Sequence, residues 1–380
     1  MLELIARIEA HPRLAKKLLE EYANRDTFPR MQGDTAVFFF WDDKPADAVY
    51  LQHWVFGLTS RVEFQRIGKT NAWYLFLDLP KAARVEYKLV VHRDGKDWWM
   101  QDPRNPRRAH DPFGSNSVCP AGSYVEPEWV HTDASARRGT MHQAVVPSQH
   151  FGGERAIQVY VPAEARPGKR YPLLICHDGG DFLHFASMKN VLDNLIHRHE
   201  VAPLIVAFTS GHARNVEYAA NPAHADFLRH DLLPYLEANF PVLPGPQHRG
   251  LMGASFGGVA SLFAASRHPG TWGRLLLQSG SFAFTDIGDH QRGALWDPIV
   301  KFMNGLRENP QPLGARVYQS CGTFESLIYY NRSLVPLLAA NTEAHRFVEA
   351  PDGHNWINWR DRLREGLTFL FPGPLWMYYE

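Results

Sequence analysis

The segment Arg249-Gly250-Leu251-Met252-Gly253-Ala254-Ser255-Phe256-Gly257-Gly258-Val259-Ala260-Ser261-Leu262-Phe263-Ala264-Ala265 sets the reading of the rest of the chain. Arg249 to Met252 suit a short buried strand, and Gly258 to Ala265 suit a packed helix. Between them, glycines two before and two after Ser255 let the backbone make the strained strand-to-helix turn that lifts a serine hydroxyl above a sheet edge. A serine hydroxyl is a weak nucleophile at neutral pH, so the turn serves chemistry only with a base beside it and donors around a developing oxyanion. The simpler alternative is a glycine-rich turn with an incidental serine, because G-x-S-x-G recurs by chance. The strand before it and the helix after it favour the nucleophile.

Strand and helix patterns alternate on both sides of this turn, as a mostly parallel sheet covered on both faces requires. Strands are expected at 157–161, 173–176, 204–208, 250–253, 275–278, 316–320 and 346–349, and helices around 188–198, 223–238, 257–266, 333–340 and 358–369. This is the pattern of an α/β-hydrolase fold, in which an acid and then a histidine follow the serine, each on a loop after a later strand. Of 19 histidines, His290, His345 and His354 lie beyond the serine and its helix. His354 sits in the turn-forming run Ala350-Pro351-Asp352-Gly353-His354-Asn355-Trp356, after an expected strand, and is the expected base. Glu325, just past the strand at 316–320, is the preferred acid. Asp352, two residues before the histidine, is the rival, and Glu325 could otherwise be a helix N-terminal glutamate. The N–H of Phe256 is one expected oxyanion donor, and the N–H of Gly180, in His177-Asp178-Gly179-Gly180-Asp181 after the strand at 173–176, is the second. The same glycines could make an ordinary tight turn. No metal or cofactor is expected, although His177, Asp178 and Asp181 have metal-ligating side chains. Trp356 and Trp359 near the base, with Tyr329 and Tyr330 after Glu325, offer faces on which an aryl group could stack, or serve as core.

The first third reads differently. Residues 1 to about 30 carry helical spacing interrupted at Pro12, and from Thr35 to about Val130 short alternating runs such as Trp73, Leu75, Leu77 and Leu79 suggest an all-β, immunoglobulin-like sandwich. The turn-rich stretch Asp102-Pro103-Arg104-Asn105-Pro106-Arg107-Arg108 precedes a boundary placed near Ala134 to Arg138, giving domains 1–134 and 135–380. The first domain is expected to shape a substrate cleft and the second to carry the chemistry. Basic and acidic residues number 40 each, which gives no global field for nucleic acid or an anionic bilayer. No run is long and apolar enough to span a membrane, and no leader is read at the N-terminus. Cys119, Cys176 and Cys321 lack metal-ligand spacing and suit a reducing, cytoplasmic setting.

These residues together resemble the enterochelin-esterase branch of the α/β-hydrolases, also grouped as putative esterases. The similar segments are His177-Asp178-Gly179, Arg214 with Glu217-Tyr218, Asp231-Leu232-Leu233-Pro234, the turn around Ser255, Gln278-Ser279-Gly280-Ser281, Gly322 with Glu325, and Gly353-His354 with Trp359-Arg360. The resemblance implies a serine esterase working through an acyl-enzyme, with a ferric-catecholate siderophore trilactone as substrate. Arg104, Arg107, Arg108, Arg214 and Arg360, with Trp356 and Trp359, then become candidate substrate contacts. Two other readings stand beside it: an acyl esterase on carbohydrate or other aryl esters, with Trp98 and Trp99 as a sugar platform, and a non-catalytic binding module.

Overall fold

The computed structural model describes residues 1–25, 27–163, 165–285 and 290–374. The chain divides into two compact units. One comprises Met1–Glu126 with Gly322–Ser326 and Ala350–Asn355, and the other comprises Pro127–Cys321, Leu327–Glu349 and Trp356–Glu380.

Among the described residues, the first unit begins with helices α1 (Leu2–Ala10) and α2 (Ala15–Arg25) and continues with ten strands. These are β1 (Arg30–Gln32), β2 (Thr35–Trp41), β3 (Ala48–His53), β4 (Arg61–Glu63), β5 (Gln65–Arg66), β6 (Ala72–Asp78), β7 (Arg84–Arg93), β8 (Lys96–Met100), β9 (Arg108–Asp111) and β10 (Gly114–Pro120). They form two antiparallel sheets, ordered β1-β2-β6-β5 and β4-β3-β7-β10-β9, with β8 also paired to β7. Strand β2 shows how the sequence is used. Phe38 and Phe40 enter a core shared with Val49, Leu51 and Leu89 of the other sheet. Phe39, pointing the opposite way by strand alternation, packs with Leu4, Ile8, Leu18 and Leu19 of the two helices. A sheet covered on both faces accepts the unbroken run Ala36-Val37-Phe38-Phe39-Phe40 that a one-sided strand would not. Trp98 and Trp99 are both exposed on β8. Adjacent strand residues project to opposite faces, so the two rings do not make a single platform.

The second unit holds strands β11 (Thr140–Pro147), β12 (Glu154–Val161), β13 (Leu173–Cys176), β14 (Ile205–Phe208), β15 (Arg249–Ala254), β16 (Arg274–Gln278), β17 (Arg316–Gly322) and β18 (Ala344–Ala350). Its helices are α3 (Gly179–Phe185), α4 (Met188–His197), α5 (Arg214–Tyr218), α6 (Pro222–Asp226), α7 (Leu233–Asn239), α8 (Phe256–Arg267), α9 (Asp297–Glu308), α10 (Ile328–Asn341), α11 (Trp356–Asp361) and α12 (Leu363–Leu370). The sheet order is β11-β12-β14-β13-β15-β16-β17-β18. Pairing is antiparallel at β11-β12 and β12-β14 and parallel from β14 through β17. The helix expected across 223–238 is divided into α6, a π-helical stretch Phe227–Leu232 and α7. Pro234 has no N–H to give to the carbonyl four residues back, so the regular ladder cannot run through.

The units part at residues 126 and 127, ahead of the boundary drawn from composition. Trp129 and Val130 already pack with α4 residues Val191, Leu192 and Leu195, and Asn194 Nδ2 donates to Trp129 O at 2.8 Å. Among the described residues no helix is long and apolar enough to cross a membrane.

Candidate active site

Ser255 joins β15 to α8 with φ 58° and ψ −120°, a conformation that costs a side-chain-bearing residue of order 1–3 kcal/mol. The flanking glycines make it possible. A Cβ on Gly253 would stand 2.4 Å from the backbone carbon of Gly257, and one on Gly257 would press on His177 at 3.2 Å. The turn is fastened to the next strand: Ser255 N–H donates to Gln278 O at 2.9 Å, and Ser281 N–H donates to Ser255 O at 3.1 Å. The Ser281 hydroxyl lies 3.3 Å from Ser255 Oγ. No local pattern marks Ser281, since its place depends on β16 running beside β15. Phe256 opens α8, where a helix leaves its first N–H groups without intrahelical partners.

Strand β13 also lies beside β15, which brings the 177–181 loop next to the serine turn. Asp178 adopts a left-handed conformation at φ 52°, and Gly179 and Gly180 begin α3. Gly179 N–H is committed to Thr209 O at 2.7 Å. Gly180 follows at the second helical position, where no intrahelical acceptor is available. The Arg214 guanidinium grips both oxygens of Asp178, each at 2.6 Å. Arg214, expected at the substrate, is thereby engaged in holding this loop.

Beneath the loop, the hydrogen bonds of two buried histidines fix their tautomers. His177 Nδ1 lies 2.9 Å from Met252 O, a group that only accepts, so this nitrogen carries the proton. His177 Nε2 must then accept from His224 Nε2, 3.0 Å away. Ser261 Oγ, 3.1 Å from His177 Nδ1, donates onward to Gly257 O at 2.9 Å. The chain is directional and neutral, and it links the 177–181 loop to both β15 and α8. Burial, against the Met252 hydrogen bond, lowers the His177 pKa to about 4. Burial, then the neighbouring His177 and Arg155, drives His224 well below its ordinary value. Both His177 ring nitrogens and both Asp178 oxygens are thus engaged in internal contacts.

Glu325 and His354 lie in the first unit. Nδ1 of His354 is 2.6 Å from Oε2 of Glu325, and Glu325 Oε1 accepts from Gly322 N–H at 2.6 Å. Glu325 is buried and the His354 side chain is partly open. Thr323 N–H donates to Ala350 O at 2.8 Å, so the ends of β17 and β18 from which these loops leave are adjacent. Asp352 faces a different partner. It accepts from Arg84 Nε at 2.9 Å, from Asn355 Nδ2 at 2.8 Å and from Gly353 N–H at 2.7 Å.

The aromatic and arginine contacts expected at the substrate are placed otherwise. Trp356 and Trp359 are buried, stacked edge to face on each other and packed with Phe182. Trp359 Nε1 donates to Ser279 Oγ at 2.9 Å. Arg360 is buried with its Nε on Asp361 at 2.9 Å. These three side chains spend most of their surface on packing. Arg104 lies over Phe39 and Trp41 and donates to Ala23 O, and Arg108 is held by Gln101 and nearby carbonyls. Among the described residues, Asp226, His230 and His268 bring three ligand-type atoms within 4.8 Å of one another. Arg267 already takes both Asp226 oxygens, at 2.7 and 2.9 Å, and lowers that carboxyl to about 2.

Residues 148–370 match the family described as Putative esterase, and the chain belongs to that family. A curated relative, the iron(III) enterobactin esterase of Escherichia coli O6:H1, is 24% identical over 88% of this chain and 91% of its own length. The fold is similar to that of the enterobactin esterase of Shigella flexneri crystallised in the presence of enterobactin, with a TM-score of 0.74 and 20% identity over 92% of this chain and 97% of that one. A ferulic acid esterase also matches, with a TM-score of 0.54 and 20% identity, over 62% of this chain and 98% of that one.

Proposed function

We propose that this esterase opens the ester backbone of an enterobactin-type ferric catecholate trilactone through an acyl-enzyme on Ser255. The observation that carries the substrate class is the extent of the similarity: the enterobactin esterases align over both units, whereas the ferulic acid esterase covers 62% of the chain. In this reading Ser255, Glu325 and His354 act together, since they follow β15, β17 and β18 in the chain order that a hydrolase of this fold uses. His354 takes the Ser255 proton as Oγ attacks a lactone carbonyl, then gives it to the departing serine-type alkoxide. Glu325 holds Nδ1 of the imidazole and offsets its charge while it is protonated. The N–H groups of Phe256 and Gly180 receive the oxyanion. Water, deprotonated by His354, releases the linear acid and restores the hydroxyl. Iron enters as part of the substrate.

The three free, buried cysteines support a cytoplasmic setting. A panel comparing a ferric catecholate trilactone, a feruloyl sugar ester and a short p-nitrophenyl ester tests the proposal. The trilactone should give the highest kcat/KM. A feruloyl ester preferred over it would move the function to the second reading.

A further inference from the structure

The loops 322–326 and 350–355 form one compact unit with residues 1–126, although their chain continues on both sides into the α/β unit. The ties are specific. Phe56 N–H donates to Phe324 O at 2.8 Å, and the Phe324 ring packs on the core between the two antiparallel sheets. Arg84, the first residue of β7, donates its N–H to Pro351 O at 3.1 Å. Its side chain, 3% exposed, gives Nε to Asp352 Oδ2 at 2.9 Å and Nη2 to Glu86 Oε1 at 2.9 Å and to Asn355 Oδ1. Asp352 in turn accepts from Gly353 N–H and Asn355 Nδ2, and its own carbonyl accepts from Phe324 N–H at 3.1 Å. The residues on either side of His354, Gly353 and Asn355, are therefore both held by the Arg84–Asp352 pair.

A buried ion pair contributes little net stability over well-packed apolar side chains, but a guanidinium fork fixes direction as an apolar contact cannot. We infer that Arg84 is a positioning residue for His354, and that the N-terminal β-sheets are part of the hydrolytic machinery as well as a place for substrate. The inference rests on the reading of His354 and Glu325 as base and acid. Through Arg84 the first sheets set the angle of the imidazole without touching the reacting atoms.

The test uses the full chain with Arg84→Lys, Arg84→Gln and the double variant Arg84→Met with Asp352→Leu, which removes both charges of the pair while Glu86 keeps its bond from Asn116. Active sites are counted with a fluorophosphonate, and kcat per counted site and KM are measured with a p-nitrophenyl ester. Turnover per site should fall roughly 10- to 100-fold in Arg84→Gln and in the double variant, as loss of alignment remote from the chemistry can do. Arg84→Lys should fall between these and the parent, and KM should stay within about twofold. If Arg84→Gln does not fold, the double variant supplies the measurement. Turnover per site within about twofold of the parent, with or without fewer active sites, would overturn the inference. Ser255→Ala is measured alongside. Full activity in that variant would remove the nucleophile reading itself, a result separable from any outcome at Arg84.

Discussion

His354 Nδ1 and Glu325 Oε2 are 2.6 Å apart, on loops that leave the adjacent ends of β17 and β18. Asp352, closer to the histidine in sequence, is turned to Arg84 instead. The two carboxylates therefore differ in what they hold, and substitution should separate them. Glu325→Gln should leave the fold intact and lower kcat by roughly 10³- to 10⁴-fold, the cost of misorienting a catalytic imidazole. Asp352→Asn should act first on stability, lowering it by about 1.5–3 kcal/mol because the buried Arg84 loses one of its two carboxylate partners and keeps Glu86. Steady-state kinetics combined with thermal melts check both. A larger loss of turnover in folded Asp352→Asn than in Glu325→Gln would transfer the acid role.

The His177–His224 pair predicts a pH dependence of stability. The unfolded chain binds a proton at each imidazole near pH ~6.5, whereas the folded pair resists protonation. Between those values the unfolded state holds more protons, so stability rises with pH. For His177 the contribution is fully present above about pH 6.5, is lost as pH falls toward its folded value of about 4, and amounts to about 3 kcal/mol. Denaturant unfolding at about pH 7.5 and pH 4.5 should show a steeper loss in the parent than in His177→Asn, which keeps one donor but cannot take a second proton. Equal slopes in the two proteins would contradict the buried neutral pair.

Gly253 has no room for a methyl group, because its Cβ would meet the backbone of Gly257 at 2.4 Å. Relief requires moving the start of α8 and with it Ser255. Gly253→Ala should lower stability by about 1–3 kcal/mol and reduce fluorophosphonate labelling of the folded protein. Normal labelling in this variant would mean that the turn tolerates a rearrangement its packing argues against.

The α/β unit is legible because its buried parallel strands are short apolar runs bounded by turns. Leu173–Cys176 was read to the residue, and Arg249–Ala254 and Arg274–Gln278 to within one or two. Strand β11 was missed because Thr140-Met141-His142-Gln143 is polar, as an edge strand allows. Helix α9 was missed although Asp297-Pro298 opens it. The pairing of His354 with Glu325 followed from chain order. Arg84 could not be found that way, because a contact spanning 268 positions has no local pattern. Nor could the burial of Trp356 and Trp359, since an aromatic near a base reads the same whether it faces substrate or core. The first third is expected to shape a substrate cleft. Its compact unit also includes the Glu325 and His354 loops, an association across roughly 200 to 300 positions that no local pattern announces.

Rapid quenching of the enzyme with a ferric catecholate trilactone, followed by peptide mass spectrometry, tests the central proposal most directly. An ester-linked acyl fragment should appear on the peptide containing Ser255 and be absent from Ser255→Ala. Trilactone opened at the parent rate by Ser255→Ala, or an acyl fragment on a different serine, would contradict it.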